Sequence, residues 1–219
     1  MTSASAAAAS RSDRLKELLR LAPVIPVITI ERVEDAVPLA RALVSGGLRL
    51  LEITLRTPAG RDAAAAIIAE VPEAVVGIGT VLTPQDLARS RELGARFALS
   101  PGATPELLDA AAASDLPFMP GVATASELMA ALARGFDIVK FFPAVPAGGV
   151  AALKALGGPF PQVRFCPTGG VSEDNAAEWL ALPNVVVVGG SWLTPASEIR
   201  GGAWDRITER ARRSANLRQ

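Results

Sequence analysis

The chain has 219 residues, half of them hydrophobic, which suits one large domain with a substantial core. Its 22 basic and 22 acidic side chains cancel, so no overall field favours nucleic acid or an anionic membrane as a partner. The absence of histidine and the presence of a single cysteine, Cys166, exclude an internal disulfide and argue against a zinc site.

The amino-terminal residues are small and low in complexity. Residues 1–12 lack the apolar core of a secretory signal, and we expect them to form a disordered tail. A helix is expected near 13–21, at the start of a single domain that covers residues 13–219. Because no apolar stretch reaches the ~18 residues of a membrane span, and because the lone cysteine fits a reducing compartment, we predict a cytoplasmic protein.

The rest of the chain alternates short β-rich runs with amphipathic stretches rich in alanine and leucine. The predicted strands are 24–30, 48–55, 75–80, 96–100, 117–122, 138–142, 163–168 and 185–190. The predicted helices lie near 34–45, 58–70, 84–93, 105–113, 125–134, 149–156, 174–181 and 204–215. This alternation predicts an α/β fold with a parallel sheet, and eight units predict a (β/α)₈ TIM barrel with an extra N-terminal helix. A doubly wound open sheet is the alternative.

Helix boundaries carry their own signals. Four threonines precede a proline and are predicted helix caps: Thr57, Thr83, Thr104 and Thr194. Thr124 with Glu127 has the spacing of a capping box, as does Thr83 with Asp86.

Lys140 is one of only three lysines and lies inside an apolar run. The other two, Lys16 and Lys154, lie in helical segments where an ammonium can reach water. Loss of hydration favours the uncharged amine, and only the free base attacks a ketone to form a Schiff base. A structural alternative is a side chain that extends along the strand to solvent.

Glu52 is predicted to face the same space as Lys140. The period of two in a strand puts Glu52, Thr54 and Arg56 on one face, and puts Lys140 and Phe142 on one face of the sixth strand. If both faces point inward, a carboxylate, an amine and a guanidinium converge. The alternative is an ion pair that only neutralises the interior, but buried pairs contribute little to stability, which favours a functional role.

Paired glycines follow the last two strands, in Thr168-Gly169-Gly170 and in Gly189-Gly190-Ser191. Glycines allow backbone N–H groups to approach an anion, and many barrels hold phosphate at this place. The alternative is a pair of tight turns. By contrast, we assign Gly77 and Gly79 to close packing of the barrel and Cys166 to the core, because the run around Gly77 lacks the third glycine of a nucleotide loop.

Taken together, these segments resemble the 2-keto-3-deoxy-6-phosphogluconate (KDPG) and 4-hydroxy-2-oxoglutarate (KHG) aldolase family. The resemblance extends from about Leu21 to Arg213. The matching stretches, in order, are PVITI (26–30), GGLRLLEITLRT (46–57), GIGTVL (77–82), SPG (100–102), VKFFPA (139–144), GPFPQVRFCPTGG (158–170) and GGSWL (189–193).

The resemblance implies a metal-independent and cofactor-independent class I lyase of the Entner–Doudoroff pathway, which splits KDPG reversibly into pyruvate and glyceraldehyde 3-phosphate. Lys140 then matches the Schiff-base lysine, and Glu52 matches the general acid/base. The residues matched to substrate binding are Arg56 and Thr80 for the pyruvate carboxylate, Pro101 and Phe142 for the pocket wall, and Thr168, Gly169, Gly170, Gly190 and Ser191 for the phosphate. The resemblance also implies a homotrimer.

Two other functions stay open at this point. A phosphosugar isomerase, epimerase or synthase could use Glu52 as a base on the same barrel without covalent catalysis. A metabolite-binding or scaffold protein would have no turnover at all.

Overall fold

The computed structural model describes residues 3–217, with residues 3–10 as backbone only, and shows an α/β fold. Its strands are β1 (Val24–Ile28), β2 (Leu50–Thr54), β3 (Val75–Gly79), β4 (Phe97–Leu99), β5 (Phe118–Met119), β6 (Gly121–Val122), β7 (Ile138–Phe141), β8 (Arg164–Pro167) and β9 (Val188–Gly190). Its helices are α1 (Ser3–Leu19), α2 (Ala36–Ser45), α3 (Gly60–Glu70), α4 (Pro84–Glu92), α5 (Pro105–Ala113), α6 (Ala125–Leu132), α7 (Gly149–Gly157), α8 (Ala176–Leu180), α9 (Ala196–Arg200) and α10 (Trp204–Ala215). A 3₁₀ turn, Val33–Asp35, precedes α2.

All strand pairings in the described residues are parallel, which confirms the prediction of a parallel α/β fold. One sheet has the order β5-β4-β3-β2-β1-β9, so the first strand lies between the second and the last. The other sheet has the order β6-β7-β8, and it is separated from β5 only by Pro120, which splits the predicted strand 117–122. Isolated parallel bridges, Phe165↔Val185 and Thr168↔Gly189, connect β8 with the segment that contains β9.

Successive side chains along each strand belong alternately to two apolar clusters, because neighbouring residues of a strand point to opposite faces. The outer cluster packs strand side chains such as Ile53 and Val139 against the helices. The inner cluster contains the strand residues whose side chains point to the other face, together with two leucines of α1. Its buried members are Leu15, Leu19, Ile25, Leu50, Phe97, Leu99, Met119, Ile138, Cys166 and Val187. Along β2 and β7 the next inward residues after Leu50 and Ile138 are Glu52 and Lys140. The interior therefore becomes polar toward the carboxyl ends of these strands.

Helix α1 covers part of the segment that is expected to be a disordered tail, since it begins at Ser3 and not near residue 13. Alanine has the highest helix propensity, and four alanines at positions 6–9 favour extension of the helix toward the amino terminus. Leu15 and Leu19 of α1 belong to the inner cluster, and Ser12 Oγ donates a hydrogen bond of 2.7 Å to Asp137, just before β7. Residues 1–2 lie outside the described part of the chain.

The predicted helix caps are partly confirmed. Thr83 and Thr124 form capping boxes with Asp86 and Glu127, and Thr104 caps α5 through the Leu107 amide. Thr57 is not a cap, since α3 begins only at Gly60 and the Thr57 hydroxyl donates instead to the Ile30 carbonyl at 2.5 Å. Thr194 is not a cap either, because Pro195 holds the N-cap position of α9. Among the described residues, no helix has the length and apolar character needed to span a membrane.

Candidate active site

Lys140 lies on β7, and its amine is held within the interior of the molecule. The lysine is 2% exposed, and its backbone N–H donates to the Pro120 carbonyl at 2.9 Å. In the strand registers, Lys140 lies beside Gly121 on one side and Cys166 on the other. The alternative of a side chain that reaches solvent along the strand is therefore wrong.

Glu52 accepts the hydrogen bond from that amine. The distance between Lys140 Nζ and Glu52 Oε1 is 2.9 Å, and the two side chains are 3% and 1% exposed. Two charged groups taken from water in this way lose hydration that their mutual attraction only partly restores. The proton between them can move from nitrogen to oxygen without a change in net charge, which converts the ammonium into an amine and the carboxylate into a carboxylic acid.

Arg56 does not join this pair. Because β2 ends at Thr54, the alternation of side chains along a strand does not predict the direction of Arg56. Arg56 is exposed, and it makes no hydrogen bond or ion pair with any residue that the structure describes. Thr54 shares the inward face with Glu52, but its hydroxyl donates to the Ile28 carbonyl at 2.9 Å. Arg56 is thus left with a free guanidinium next to the carboxyl end of β2.

Of the predicted pocket residues, Phe142 lies near the pair itself, whereas Pro101 and Thr80 adjoin neighbours of the pair. The ring of Phe142 has its centroid 5.6 Å from Lys140 Nζ. The backbone of Pro101 approaches Gly121 so closely that a Cβ at position 121 would collide with it, and Gly121 is the register partner of Lys140. Thr80 follows β3 directly, is half-buried and has a φ of 62°, the only non-glycine residue in the described chain with a positive φ.

The two glycine pairs lie next to each other, at the carboxyl ends of β8 and β9. Thr168 bridges to Gly189, and a Cβ at Gly169 would lie 3.2 Å from the ring of Phe142, which also faces Lys140. Gly169 and Gly170 have φ values of 97° and 83°, conformations that favour glycine. The Gly170 amide donates no hydrogen bond to a described residue, and Ser191 is exposed beside Gly190. An anion could therefore be bound here by backbone and hydroxyl donors.

Cys166 is buried, as predicted for a core residue. Burial raises the pKa of the Cys166 thiol to about 12, although the nearby Lys140 and the Thr168 hydroxyl act in the opposite direction. Its Sγ lies 3.8 Å from Thr168 Oγ1. The thiol therefore stays protonated and is not available as a nucleophile.

Two further residues of this region, Gly79 and Ser100, are not predicted as site residues. The sequence pattern predicts only a packing role for Gly79, yet Gly79 lies against the Glu52 carboxylate. The period of two along β3 predicts this position, because Gly77 and Gly79 are two residues apart and therefore lie on the same, inward-facing side of the strand. Ser100 is fully buried, and its hydroxyl accepts a hydrogen bond of 3.2 Å from the Gly121 amide; it lies in the matching stretch SPG (100–102), but no role is predicted for it.

Comparison with known proteins adds independent evidence. The family model of KDPG and KHG aldolases matches residues 15–210. The chain belongs to this aldolase family. The KHG/KDPG aldolase of Escherichia coli is 55% identical over 183 residues, which cover 84% of this chain and 86% of that protein. The 2-dehydro-3-deoxy-phosphogluconate aldolase of Pseudomonas aeruginosa is 50% identical over 187 residues, which cover 85% of this chain and 84% of that protein.

A solved relative links the family to covalent chemistry. The crystal structure of KDPG aldolase from Legionella pneumophila, with pyruvate captured at low pH as a covalent carbinolamine intermediate, matches with a TM-score of 0.90 and 49% identity. The match covers 91% of this chain and 97% of that one. A carbinolamine is the first adduct of an amine and a ketone, so the family context agrees with the resemblance derived from the motifs.

Proposed function

We propose that this protein is a class I aldolase, a carbon–carbon lyase that cleaves KDPG reversibly into pyruvate and glyceraldehyde 3-phosphate and also acts on 4-hydroxy-2-oxoglutarate. The observation that carries the proposal is the buried contact of 2.9 Å between Lys140 Nζ and Glu52 Oε1, in a member of the KDPG and KHG aldolase family. A covalent amine mechanism needs neither a metal nor a cofactor.

The first half of the reaction forms the Schiff base. The Lys140 amine attacks C2 of the substrate, and the keto oxygen takes up the proton that Glu52 first received from the Lys140 ammonium, to give a carbinolamine. Glu52, within hydrogen-bond reach of the nitrogen, accepts the amine proton and returns it to the departing hydroxyl, which leaves as water. The product is a cationic imine on Lys140.

The second half breaks the carbon–carbon bond. A base removes the proton of the C4 hydroxyl, the C3–C4 bond breaks, and its electron pair moves to the imine and gives an enamine. The C4 fragment leaves as glyceraldehyde 3-phosphate. The enamine is then protonated at C3, and water hydrolyses the resulting imine to release pyruvate and the free amine. Glu52, the nearest carboxyl group to the nitrogen, serves in these proton transfers.

The substrate spans the two regions described above. Arg56 and Thr80 bind the carboxylate, and Pro101 and Phe142 form the wall of the pocket. The Gly170 amide, with its unused donor, and the exposed Ser191 support a phosphate site formed by Thr168, Gly169, Gly170, Gly190 and Ser191. Phe142, which lies close to both Lys140 and Gly169, connects the reacting end with the phosphate end.

The larger architecture belongs to the same proposal. We infer that the two sheets close into one eight-stranded (β/α)₈ barrel, with β5 and β6 as a single interrupted strand and α1 across the amino-terminal ends of the strands. The barrel, residues 13–219, then forms one domain. Exposed apolar side chains at Leu82 and Met129 support assembly into a homotrimer, which light scattering would test. The cytoplasmic location stays a prediction.

The test is product release from KDPG and from 4-hydroxy-2-oxoglutarate, with pyruvate measured by coupling to lactate dehydrogenase. The wild-type protein should release pyruvate and aldehyde in equal amounts. Lys140→Ala should lose nearly all activity, while Lys154→Ala, which changes an exposed lysine, serves as the matched control and should retain it. An inactive wild-type protein, or a Lys140→Ala variant that keeps more than half of the rate, would overturn the proposal.

A further inference from the structure

Two glycines of β3 face the interior with the same parity but make room for different neighbours. A Cβ added at Gly77 would meet the ring of Phe97, with Cε1 at 2.5 Å and two further ring atoms closer still. A Cβ added at Gly79 would meet only the Glu52 side chain among its three nearest atoms: Cγ at 2.6 Å, Cδ at 2.7 Å, and Oε1 nearest of all. Gly77 thus makes room for an aromatic ring, and Gly79 makes room for a carboxylate.

The strand register shows that the Glu52 side chain extends along the strand direction, toward the carboxyl end of β3. The Cα partner of Glu52 on β3 is Gly77, and the partner of Gly79 is Thr54. The carboxylate nevertheless lies over Gly79, one inward position closer to the carboxyl end of the strand. In that position its Oε1 reaches Lys140 Nζ across the interior at 2.9 Å.

We propose that Gly79 is a positioning residue for the general acid/base: the absence of a side chain there holds open the space from which the Glu52 carboxylate contacts Lys140. This inference rests on the proposed aldolase function. Any larger residue at position 79 would move the carboxylate away from the amine.

Replacement of the two glycines should therefore have different effects: a loss of activity at Gly79 and a loss of stability at Gly77. An ordinary contact to a Cβ is at least 3.4 Å, so alanine at position 79 would displace the carboxylate. A displacement of roughly 1 Å at a reacting group is enough to cost on the order of 10²-fold in rate. All three colliding atoms belong to the Glu52 side chain and none to the backbone, so we expect rotation of that side chain to relieve the collision. The Phe97 ring is fully buried in the inner cluster, so we expect alanine at position 77 to strain the core itself.

The experiment compares Gly79→Ala with the matched control Gly77→Ala in kcat, in KM for KDPG and in thermal unfolding. We expect Gly79→Ala to lower kcat about 10²-fold with little change in KM, because Glu52 acts in proton transfer and the phosphate and carboxylate contacts are untouched. Its melting temperature should stay close to that of the wild type. Gly77→Ala should show the opposite pattern, a clear loss of melting temperature with a smaller loss of kcat per folded molecule.

A double-mutant cycle with Glu52→Gln tests whether Gly79 acts through Glu52. Adding Gly79→Ala to Glu52→Gln should change kcat by less than about threefold, because the carboxylate that Gly79 positions is already gone. A purely structural role predicts instead that the two losses multiply. A Gly79→Ala variant with wild-type kcat, or full multiplication of the two losses, would overturn the positioning role.

Two further results keep the test decisive. If Gly79→Ala fails to fold, the double variant Glu52→Ala/Gly79→Ala should fold and melt close to Glu52→Ala, because the colliding side chain is removed; failure of this double variant overturns the inference. If the wild-type protein shows no turnover, the proposed function itself is wrong. Turnover by the wild type with an unaffected Gly79→Ala variant rejects only the role of Gly79.

Discussion

Glu52 and Lys140, separated by 88 residues in the chain, meet through a hydrogen bond of 2.9 Å in the interior of the molecule. Each belongs to a different sheet, β2 in one and β7 in the other. Replacement of such a buried pair by apolar residues is often neutral or stabilising in other proteins, so the stability of the fold does not explain it. The proposed covalent role of the nitrogen and the proposed proton-transfer role of the oxygen would explain it.

The first prediction concerns the proton-transfer role of Glu52. Glu52→Gln keeps the size of the side chain and its ability to accept a hydrogen bond, but removes its ability to exchange a proton. We expect kcat to fall by about 10²–10⁴-fold, the usual contribution of positioned general acid–base catalysis. Steady-state kinetics with KDPG measure this effect. Glu209→Gln, at a residue whose side chain is 55% exposed, is the control, and a Glu52→Gln variant with more than half of the wild-type rate would contradict the role.

The second prediction concerns the thiol of Cys166. Because burial raises its pKa to about 12, the thiolate is scarce at pH 8, and the native protein should resist iodoacetamide. The same reagent should label one site in the protein unfolded by guanidinium, since Cys166 is the only cysteine of the chain. Mass spectrometry counts the label. Stoichiometric labelling of the native protein at pH 8 would show that the thiol is accessible and ionised.

The third prediction concerns the backbone of Thr80. A β-branched residue at a φ of 62° is strained, at a cost of order 1–3 kcal/mol. Thr80→Gly should therefore raise the free energy of unfolding by about 1 kcal/mol, while Thr80→Ala, which keeps a Cβ in the same conformation, should not. Urea denaturation measures both.

Thr80 is also proposed to bind the substrate carboxylate, which gives the same variants a second readout. Both Thr80→Gly and Thr80→Ala lose the hydroxyl and should raise KM, whereas Thr80→Ser should not. Equal stability of the glycine and alanine variants would disprove the strain.

The fourth prediction concerns an ion pair between α9 and α10. Arg210 donates two hydrogen bonds of 2.8 Å to the Glu198 carboxylate, and the side chains are 18% and 17% exposed. The hydrogen bonds from Arg210 lower the pKa of Glu198. A folded pKa below the unfolded one stabilises the protein at pH values above the unfolded pKa, and this contribution is lost as pH falls through the folded pKa.

Arg210→Gln should therefore lower the free energy of unfolding at pH 7 by about 1 kcal/mol. The difference from the wild type should shrink as the pH falls below the ordinary glutamate value of about 4.3. Arg212→Gln, in an exposed pair with Glu209, is the control and should have little effect. A difference that grows at low pH would contradict the assigned sign.

The sequence predicts the parts of this structure that depend on local pattern. The inward parity of Glu52 and Lys140 follows from the period of two along their strands, and the capping boxes at Thr83 and Thr124 follow from a spacing of three residues. Each of these features is decided within one element. Their prediction needs no knowledge of the neighbouring strands.

The predictions that the structure does not bear out have a common physical cause. They depend on where a strand or helix ends and on which residues of other elements lie opposite it. The threonine-proline signal at Thr57 fails because the hydroxyl finds the Ile30 carbonyl of a neighbouring segment, a contact that no local pattern contains. Arg56 makes no contact with the Glu52–Lys140 pair, because β2 stops two residues earlier and the strand pattern does not extend to it. The proposed role of Gly79 depends on the direction of the Glu52 side chain along the sheet, and that direction is determined by the packing of the neighbouring strands.

Reductive trapping tests the central claim most directly. The protein is incubated with pyruvate and borohydride, digested and sequenced by mass spectrometry. We predict a carboxyethyl group on Lys140, formed by reduction of the imine, with Lys16 and Lys154 unmodified as internal controls in the same sample. A protein that turns over KDPG but carries no adduct on Lys140 would contradict covalent catalysis by this amine.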